Sequence, residues 1–307
     1  MSVIAVVDVG SNSIKVSVVE AAGRRELARA SEDVRLHSES HPSDPLTAES
    51  MTAAVAAVGR LLAFARTHGA TRCNVLGTSA VRECANRADF AARVLAGTGV
   101  ALTIVSGEVE ARLAAAGVRS DPAYAGYADI LAFDLGGGSL EVSALRGERC
   151  VLARSFPLGS VRLTHGFLRG GLGAVDELDQ VSIRTHILGM LASVVPPKAA
   201  ENYLIVGAGG AFATVAGRLE AIGEAPVGGR LPMLRIRELR DRLCALDLEA
   251  RRKVPGVPRE RADIMPAALI TLGVLADLTG AEAFQLSYRG VRHGMTELML
   301  GPSGELL

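Results

Sequence analysis

Two stretches of this chain place an aspartate, small residues and a hydroxyl in the same order: Asp8-Val-Gly-Ser-Asn-Ser-Ile-Lys-Val16 and Asp134-Leu-Gly-Gly-Gly-Ser-Leu-Glu-Val142. Four of the nine positions are identical, the apolar positions stay apolar, and the copies start 126 residues apart. Each follows an apolar run (3–7 and 130–133), which predicts strand, aspartate, glycine-bearing turn, strand. The turns are Gly10, Ser11, Asn12 and Ser13 in one copy, and Gly136, Gly137, Gly138 and Ser139 in the other. Small residues there let backbone N–H groups approach a phosphate closely. An aspartate at the strand end can hold a metal ion, directly or through water. Two such hairpins facing each other would form a phosphate clamp with a carboxylate on each side. One Asp-x-Gly-x-x-Ser alone would be an ordinary glycine turn; its recurrence in the same context argues for a repeated unit.

The elements that must position these turns fall into two parallel series. In the first half, strands are predicted over 3–7, 14–19 and 27–36, followed by a polar loop at 37–45. A long alanine-rich helix follows over 47–68, with an apolar stripe at Val55, Val58, Leu61, Leu62 and Ala65. Then come a strand at 74–77, a helix at 88–95, a strand at 101–105 and a helix opening at 109–117. In the second half, strands are expected at 130–133, 140–145 and 151–156, and helices at 161–167 and 175–195. A strand at 203–206 runs into Gly207-Ala-Gly-Gly210. Helices at 236–246 and 262–279, a short strand at 283–286 and a last helix at 290–300 complete the series. The βββαβαβα order, found twice, predicts two α/β domains with mixed sheets and crossover helices. The boundary is placed near 117–127, giving domains over 1–120 and 121–307, with the last helix, about 290–307, able to pack back on the first. The cleft between the halves is the expected active site.

Composition narrows the class. The 307 residues are 49% hydrophobic and 21% charged, enough to bury a full core and inconsistent with disorder. A net charge of zero argues against broad nucleic-acid binding. The first apolar run is short, lacks a basic leader and ends in an aspartate, so it reads as a core strand rather than a signal peptide. No apolar run is expected to reach membrane-spanning length. Cys73, Cys84, Cys150 and Cys244 are far apart and form no Cys-x-x-Cys pair, which suits free thiols in a reducing cytoplasm.

Two βββαβαβα domains with a phosphate hairpin each resemble the ribonuclease H-like, actin-like ATPase superfamily of actin, sugar kinases and Hsp70. Four local motifs narrow this. Gly77-Thr-Ser-Ala-Val-Arg82, Ser106-Gly-Glu-Val-Glu-Ala-Arg112, Asp134-Leu-Gly-Gly-Gly-Ser-Leu-Glu141 and Arg261-Ala-Asp-Ile-Met-Pro266 occur in that order. Together they resemble the exopolyphosphatase / guanosine pentaphosphate phosphatase family, from residue 3 to about 295. Long members of that family carry an extra C-terminal helical (HD-like) domain; this chain is expected to be the short, two-domain form.

The resemblance implies roles for individual residues. Glu110, directly before Ala-Arg, matches the family's catalytic glutamate, which orients or deprotonates the water that attacks the terminal phosphorus. Independently of that, a carboxylate just past a strand end at a helix start can reach a cleft water. The alternative is that Glu110 only supports a helix N-terminus, a role for which Glu108 is better suited. Asp8, Asp134 and Glu141 match the family's carboxylates that face magnesium and phosphate, with Mn²⁺ as an alternative cation; otherwise they are turn aspartates and a surface strand glutamate. Arg82 matches an arginine able to pair with a phosphate bidentately, or else is a solvated surface arginine. The turn at 207–210 occupies the place that covers adenosine in kinases, without any further nucleotide fingerprint. Lys15 reads as an exposed strand lysine.

The segment 230–261 holds ten Lys/Arg and five acidic residues, a balance of +5 in a neutral chain. It is either a basic track for a polyanion or a solvated face with i,i+4 pairs. His37 and His41 have metal-like spacing without the remaining ligands.

The resemblance therefore implies an Mg²⁺-dependent phosphoanhydride hydrolase acting on inorganic polyphosphate, or on the 5′ γ-phosphate of guanosine pentaphosphate by the same chemistry. It also implies a homodimer, while cysteine usage, net charge and the length of the apolar runs point to a cytoplasmic protein with no nucleic-acid or membrane partner. An ATP-dependent sugar kinase is opposed by the weak third turn and by the Ser106–Arg112 motif. A nucleotide-gated scaffold like actin or Hsp70 is the non-enzymatic alternative.

Overall fold

The computed structural model describes residues 2–37, 44–168 and 173–301. In chain order the elements are β1 (Val3–Val9), β2 (Ser13–Glu20), β3 (Arg25–Asp33), α1 (Ala48–Thr67), β4 (Arg72–Gly77), α2 (Ser79–Arg82), α3 (Arg87–Thr98), β5 (Leu102–Ile104) and α4 (Gly107–Arg119). They continue with β6 (Asp129–Leu135), β7 (Leu140–Arg146), β8 (Arg149–Phe156), α5 (Ser160–Phe167), α6 (Glu177–Leu191), β9 (Leu204–Ala208) and α7 (Gly210–Ala221). The last are β10 (Arg230–Pro232), α8 (Met233–Ala245), α9 (Leu248–Arg251), α10 (Met265–Thr279), β11 (Ala283–Leu286) and α11 (Val291–Leu300). The chain divides into two compact units, Met1–Pro122 with Arg289–Leu307, and Ala123–Tyr288.

The first unit has a five-stranded sheet in the order β3-β2-β1-β4-β5. β1 to β3 form an antiparallel meander, and β4 and β5 run parallel to β1. Residues 3–7 are an unbroken run of apolar side chains, all buried, as a strand covered on both faces requires. At the edge, β3 alternates exposed and half-buried residues. α1 starts where the Thr47 side chain accepts from the Ser50 N–H, and lays Met51, Ala54, Ala57, Val58, Leu61, Leu62 and Ala65 into the core. By length and composition α1 is able to cross a bilayer, 20 residues at a mean hydropathy of 1.3, which corrects the expectation that no run reaches that length. Its buried stripe packs on the strands of this unit, the arrangement of a core helix. α11 lies against α4 with backbones in direct contact: a Cβ at Gly117 would collide with Gly290, and one at Gly294 with Leu113.

The second unit repeats the scheme. Its sheet runs β10-β11-β9-β6-β7-β8, with β6 to β8 antiparallel and β9 and β11 parallel to β6 and to each other. β10 adds an antiparallel strand at the edge. α10 is buried nearly all round, so it forms the middle of this core. Both units thus have the mixed α/β, ribonuclease H-like arrangement that the resemblance implied.

Local differences have local causes. The third strand ends at Asp33 rather than 36. The helix expected from 262 starts at Met265 because Pro266 occupies its first turn, where a missing N–H costs nothing. The one-turn α2 and the three-residue β10 are too short to leave a periodic signal. Most of the polar loop expected at 37–45, including His41, lies outside the described residues.

Candidate active site

The first turn is closed by the Gly10 N–H donating to the Ser13 carbonyl at 3.3 Å. β1 and β2 pair so that Asp8 stands opposite Lys15. The turn's carbonyls are already engaged: Arg35 N–H donates to Asn12 O and Leu36 N–H to Ser11 O, both at 3.0 Å. The N–H groups of Ser11 and Asn12 have no backbone acceptor among the described residues. Asn12 is only 6% exposed, yet its Oδ1 and Nδ2 have no partner among the described residues. Leaving such groups unsatisfied costs about 1–3 kcal/mol each, and an unmatched buried amide marks a place where a polar ligand belongs.

The second turn has the same closure, Gly136 N–H to Ser139 O at 3.0 Å. Here α5 engages the carbonyls: Ser160 N–H donates to Gly136 O at 3.0 Å, Val161 N–H to Gly137 O at 2.9 Å, and Arg162 Nε to Gly138 O at 3.0 Å. The N–H groups of Gly137 and Gly138 again have no backbone acceptor among the described residues. Protein donors take two carbonyls of the first turn and three of the second, and N–H donors are left over in both, which is the polarity an anion needs.

Behind the second turn, Asp134 and Glu141 are paired across the ladder and so share a face. Glu141 is 3% exposed and accepts from Ser155 Oγ at 2.7 Å, so it is not a surface glutamate. Gly209, with φ of +93°, lies on Asp134: a Cβ there would come within 2.7 Å of Asp134 Oδ1. The Arg261 guanidinium packs on Gly210 and leaves no room for a side chain. The turn at 207–210 therefore backs Asp134 through Gly209 and carries the Arg261 guanidinium on Gly210. Two adjacent carboxylates, one steadied by a hydroxyl, fit Mg²⁺, which takes one or two carboxylates and completes its shell with water and phosphate oxygens. No cluster of three or more His, Cys, Asp or Glu side chains is present among the described residues, so an all-protein cage is not what the site offers.

Asp8 is in a different setting. Arg292 Nη1 lies 3.8 Å from Asp8 Oδ2, and Thr78 Oγ1 donates to Asp8 Oδ1 at 3.4 Å. Burial pushes the Asp8 carboxyl above its usual range, opposed by the charges of Arg292 and Lys15 and by the Thr78 hydroxyl. Lys15 is thus half-buried beside Asp8, correcting its reading as an exposed strand lysine. With two cations already facing it, Asp8 is a poorer cation ligand than the Asp134–Glu141 pair.

Glu110 is 4% exposed on the first turn of α4 and accepts from Arg82 Nη1 at 2.5 Å. The cap of α4 is Ser106, whose Oγ accepts from Val109 N–H, so Glu110 is one position too late for a capping box. Glu108 points to solvent and pairs with Arg112. The same Arg82 donates to the Val105 carbonyl at 3.2 Å, which excludes a solvated surface role for it. Thr78, on Asp8, immediately precedes the α2 turn that carries Arg82, so Asp8, Arg82 and Glu110 belong to one connected group in the first unit.

The basic segment is partly committed to the fold, with Arg230, Arg242, Lys253 and Arg259 exposed. Arg251 is fully buried and donates to the carbonyls of Leu243 and Gly173 at 2.8 and 2.7 Å. Arg235 pairs with Glu224 and Glu238, Arg237 with Asp277, Arg240 with Asp241 and Arg252 with Glu249. His37 is buried and its Nε2 donates to the Ala80 carbonyl at 3.0 Å, a structural bond.

Comparison with known proteins gives a consistent picture. Residues 16–301 match the model of the Ppx/GppA phosphatase family. An uncharacterised protein of Streptomyces coelicolor is 34% identical over 94% of this chain and 88% of its own length. Exopolyphosphatase 1 of Mycobacterium tuberculosis is 34% identical over 53% of this chain and 48% of its own. Guanosine-5′-triphosphate,3′-diphosphate pyrophosphatase of Aeromonas hydrophila is 26% identical over 97% of this chain and 59% of its own. The alignments thus span about half the length of these two enzymes. In three dimensions the chain is similar to an exopolyphosphatase from Cytophaga hutchinsonii, with a TM-score of 0.86 at 22% identity over 97% of this chain and 98% of that one.

Proposed function

The chain belongs to the Ppx/GppA phosphatase family, and from that premise we propose that it releases terminal orthophosphate from inorganic polyphosphate, with Glu110 serving the attacking water. The observation that carries this reading is the shared polarity of the two turns. Their carbonyls are engaged while the N–H groups of Ser11, Asn12, Gly137 and Gly138 lack backbone acceptors among the described residues. Phosphoryl oxygens are the ligands such donors suit.

In this reading Asn12 and the turn N–H groups orient the phosphoryl oxygens, and their fixed dipoles favour the charge that builds up during transfer. Glu110, held by Arg82, accepts the proton of a water attacking in line with the bridging oxygen. Arg82 fixes the carboxylate's direction. A divalent cation held by Asp134 and Glu141 would supply charge neutralisation at phosphate oxygens.

A second reading, guanosine pentaphosphate as substrate, is favoured by the state of the basic segment. A long polyanion gains from a run of free cations, and here five of the ten are committed, Arg251 buried and Arg235, Arg237, Arg240 and Arg252 paired, with Arg230, Arg242, Lys253 and Arg259 left exposed. A short substrate needs no such run. Phosphate release from long-chain polyphosphate, tripolyphosphate and guanosine pentaphosphate, each with Mg²⁺ and with chelator, separates the readings. Release from polyphosphate and tripolyphosphate supports the first, and release confined to the nucleotide supports the second. No release from any of the three would refute both.

A further inference from the structure

A buried polar chain runs beneath the last helix of the first unit and ends on the phosphate turn. Arg292 of α11 reaches two strands: its Nη1 lies 3.8 Å from Asp8 Oδ2 on β1, and its Nε donates to Ser17 Oγ on β2 at 3.0 Å. Ser17 is fully buried, and the Arg292 side chain is 19% exposed. On β3, Glu26 is held below the usual carboxylate range, chiefly by His293 against the effect of burial, with the Ser17 hydroxyl and Arg29 adding to it. The His293 Nε2 to Glu26 Oε1 distance is 3.7 Å. Asp8, Arg292, Ser17, Glu26 and His293 thus tie three strands to one helix.

That helix has little freedom to move relative to the catalytic group. Gly117 and Gly294 admit no Cβ at the α4–α11 crossing, so α11 is seated backbone to backbone on α4, which carries Glu110, and stays seated without the His293–Glu26 contact. On its other side Asp8 receives the Thr78 hydroxyl, next to the α2 turn whose Arg82 holds Glu110. Asp8 is therefore the junction between the last helix and the Arg82–Glu110 pair.

We propose that Arg292 is a positioning residue for Asp8 of the first phosphate turn, acting through that carboxylate and not by touching substrate. This rests on the phosphatase reading above. A guanidinium fixed by a buried hydroxyl sets its charge at one side of the carboxylate, 3.8 Å away, and lysine can restore the charge but not the attachment to both Ser17 and Asp8.

The test measures tripolyphosphate hydrolysis and thermal unfolding for wild type, Arg292→Gln, Arg292→Lys, Asp8→Asn and the double variant Asp8→Asn/Arg292→Gln. Losing a partner that orients a site carboxylate costs about 10–100-fold, so Arg292→Gln is expected to lower kcat/KM by that much and Arg292→Lys by less. If Arg292 acts through Asp8, the double variant is no worse than Asp8→Asn alone. The double variant also removes the unpaired charge, so it stays folded if Arg292→Gln alone does not. His293→Gln, on the same helix but facing Glu26, reports helix docking alone and is expected to lower the melting temperature while leaving kcat/KM within about twofold, the scale of a change away from the site. Full activity in Arg292→Gln, multiplicative losses in the double variant, or an equal loss in His293→Gln would each overturn the inference. An inactive wild-type protein would instead refute the phosphatase reading and this inference with it.

Discussion

In the first unit Asp8 faces Lys15 across the ladder and Arg292 from α11; in the second, Asp134 faces Glu141, with Ser155 beside it. The backbones in front are alike: each glycine N–H closes on a serine carbonyl, and protein donors engage the Ser11 and Asn12 carbonyls of one turn and the Gly136, Gly137 and Gly138 carbonyls of the other. The duplicated hairpin has therefore kept its anion-binding face and diverged in the charge behind it. In the proposed reading, cations behind the first turn would assist a phosphate directly, while the carboxylate pair behind the second would attract a divalent cation first. The first unit adds the buried carboxylate that suits it to act on water, Glu110, and ties it to an arginine rather than to a second acid.

The sharpest way to break this division of labour is to remove that carboxylate. Glu110→Gln preserves shape and is expected to lower kcat by about 10²–10⁴-fold, the usual contribution of a general base. Tripolyphosphate should raise the melting temperature of the variant and of the wild type alike. Wild-type turnover in this variant would transfer the role to another group.

A smaller effect is expected from the first turn. Asn12→Ala removes an amide that has no protein partner, so the apo protein should melt at the same temperature or higher, while KM for tripolyphosphate rises about tenfold, the worth of one hydrogen bond to a charged group. A clear loss of apo stability would mean that Asn12 supports the fold instead of the ligand.

The smallest effects are expected in the basic segment. Arg252→Gln breaks an exposed pair with Glu249, worth about 0–1 kcal/mol. It should change KM for long polyphosphate no more than KM for tripolyphosphate. Arg251→Gln should destabilise the protein by about 1–3 kcal/mol through unsatisfied carbonyls without a selective effect on long chains. A selective loss on long chains in either variant would restore the track.

Much of this was legible from sequence because the repeat joins two strong local signals, apolar strands and glycine turns, and because the strand order follows from the first three strands being contiguous in each half. The pairing of Asp134 with Glu141 follows from a tight hairpin, whose register is set by its loop. What stayed hidden is nonlocal. Arg292 is 284 positions from Asp8, and neither carries a mark of the other. Arg251 looks like any member of an Arg-Arg-Lys run, and only the carbonyls of Leu243, eight positions away, and of Gly173, 78 positions away, explain why it is buried. Lys15 misled because a strand alternates faces, and which face is wet depends on the helices that cover it.

The most direct test of the division between the hairpins is an Mg²⁺ titration of tripolyphosphate hydrolysis by wild type, Lys15→Met and Glu141→Gln. Losing a metal-facing carboxylate should raise the half-activating Mg²⁺ concentration of Glu141→Gln by about 10–100-fold. Lys15→Met should leave that concentration unchanged and raise KM instead. If both variants shift the same parameter, or if wild-type activity is insensitive to chelator, the two turns do not differ in the way their surroundings imply.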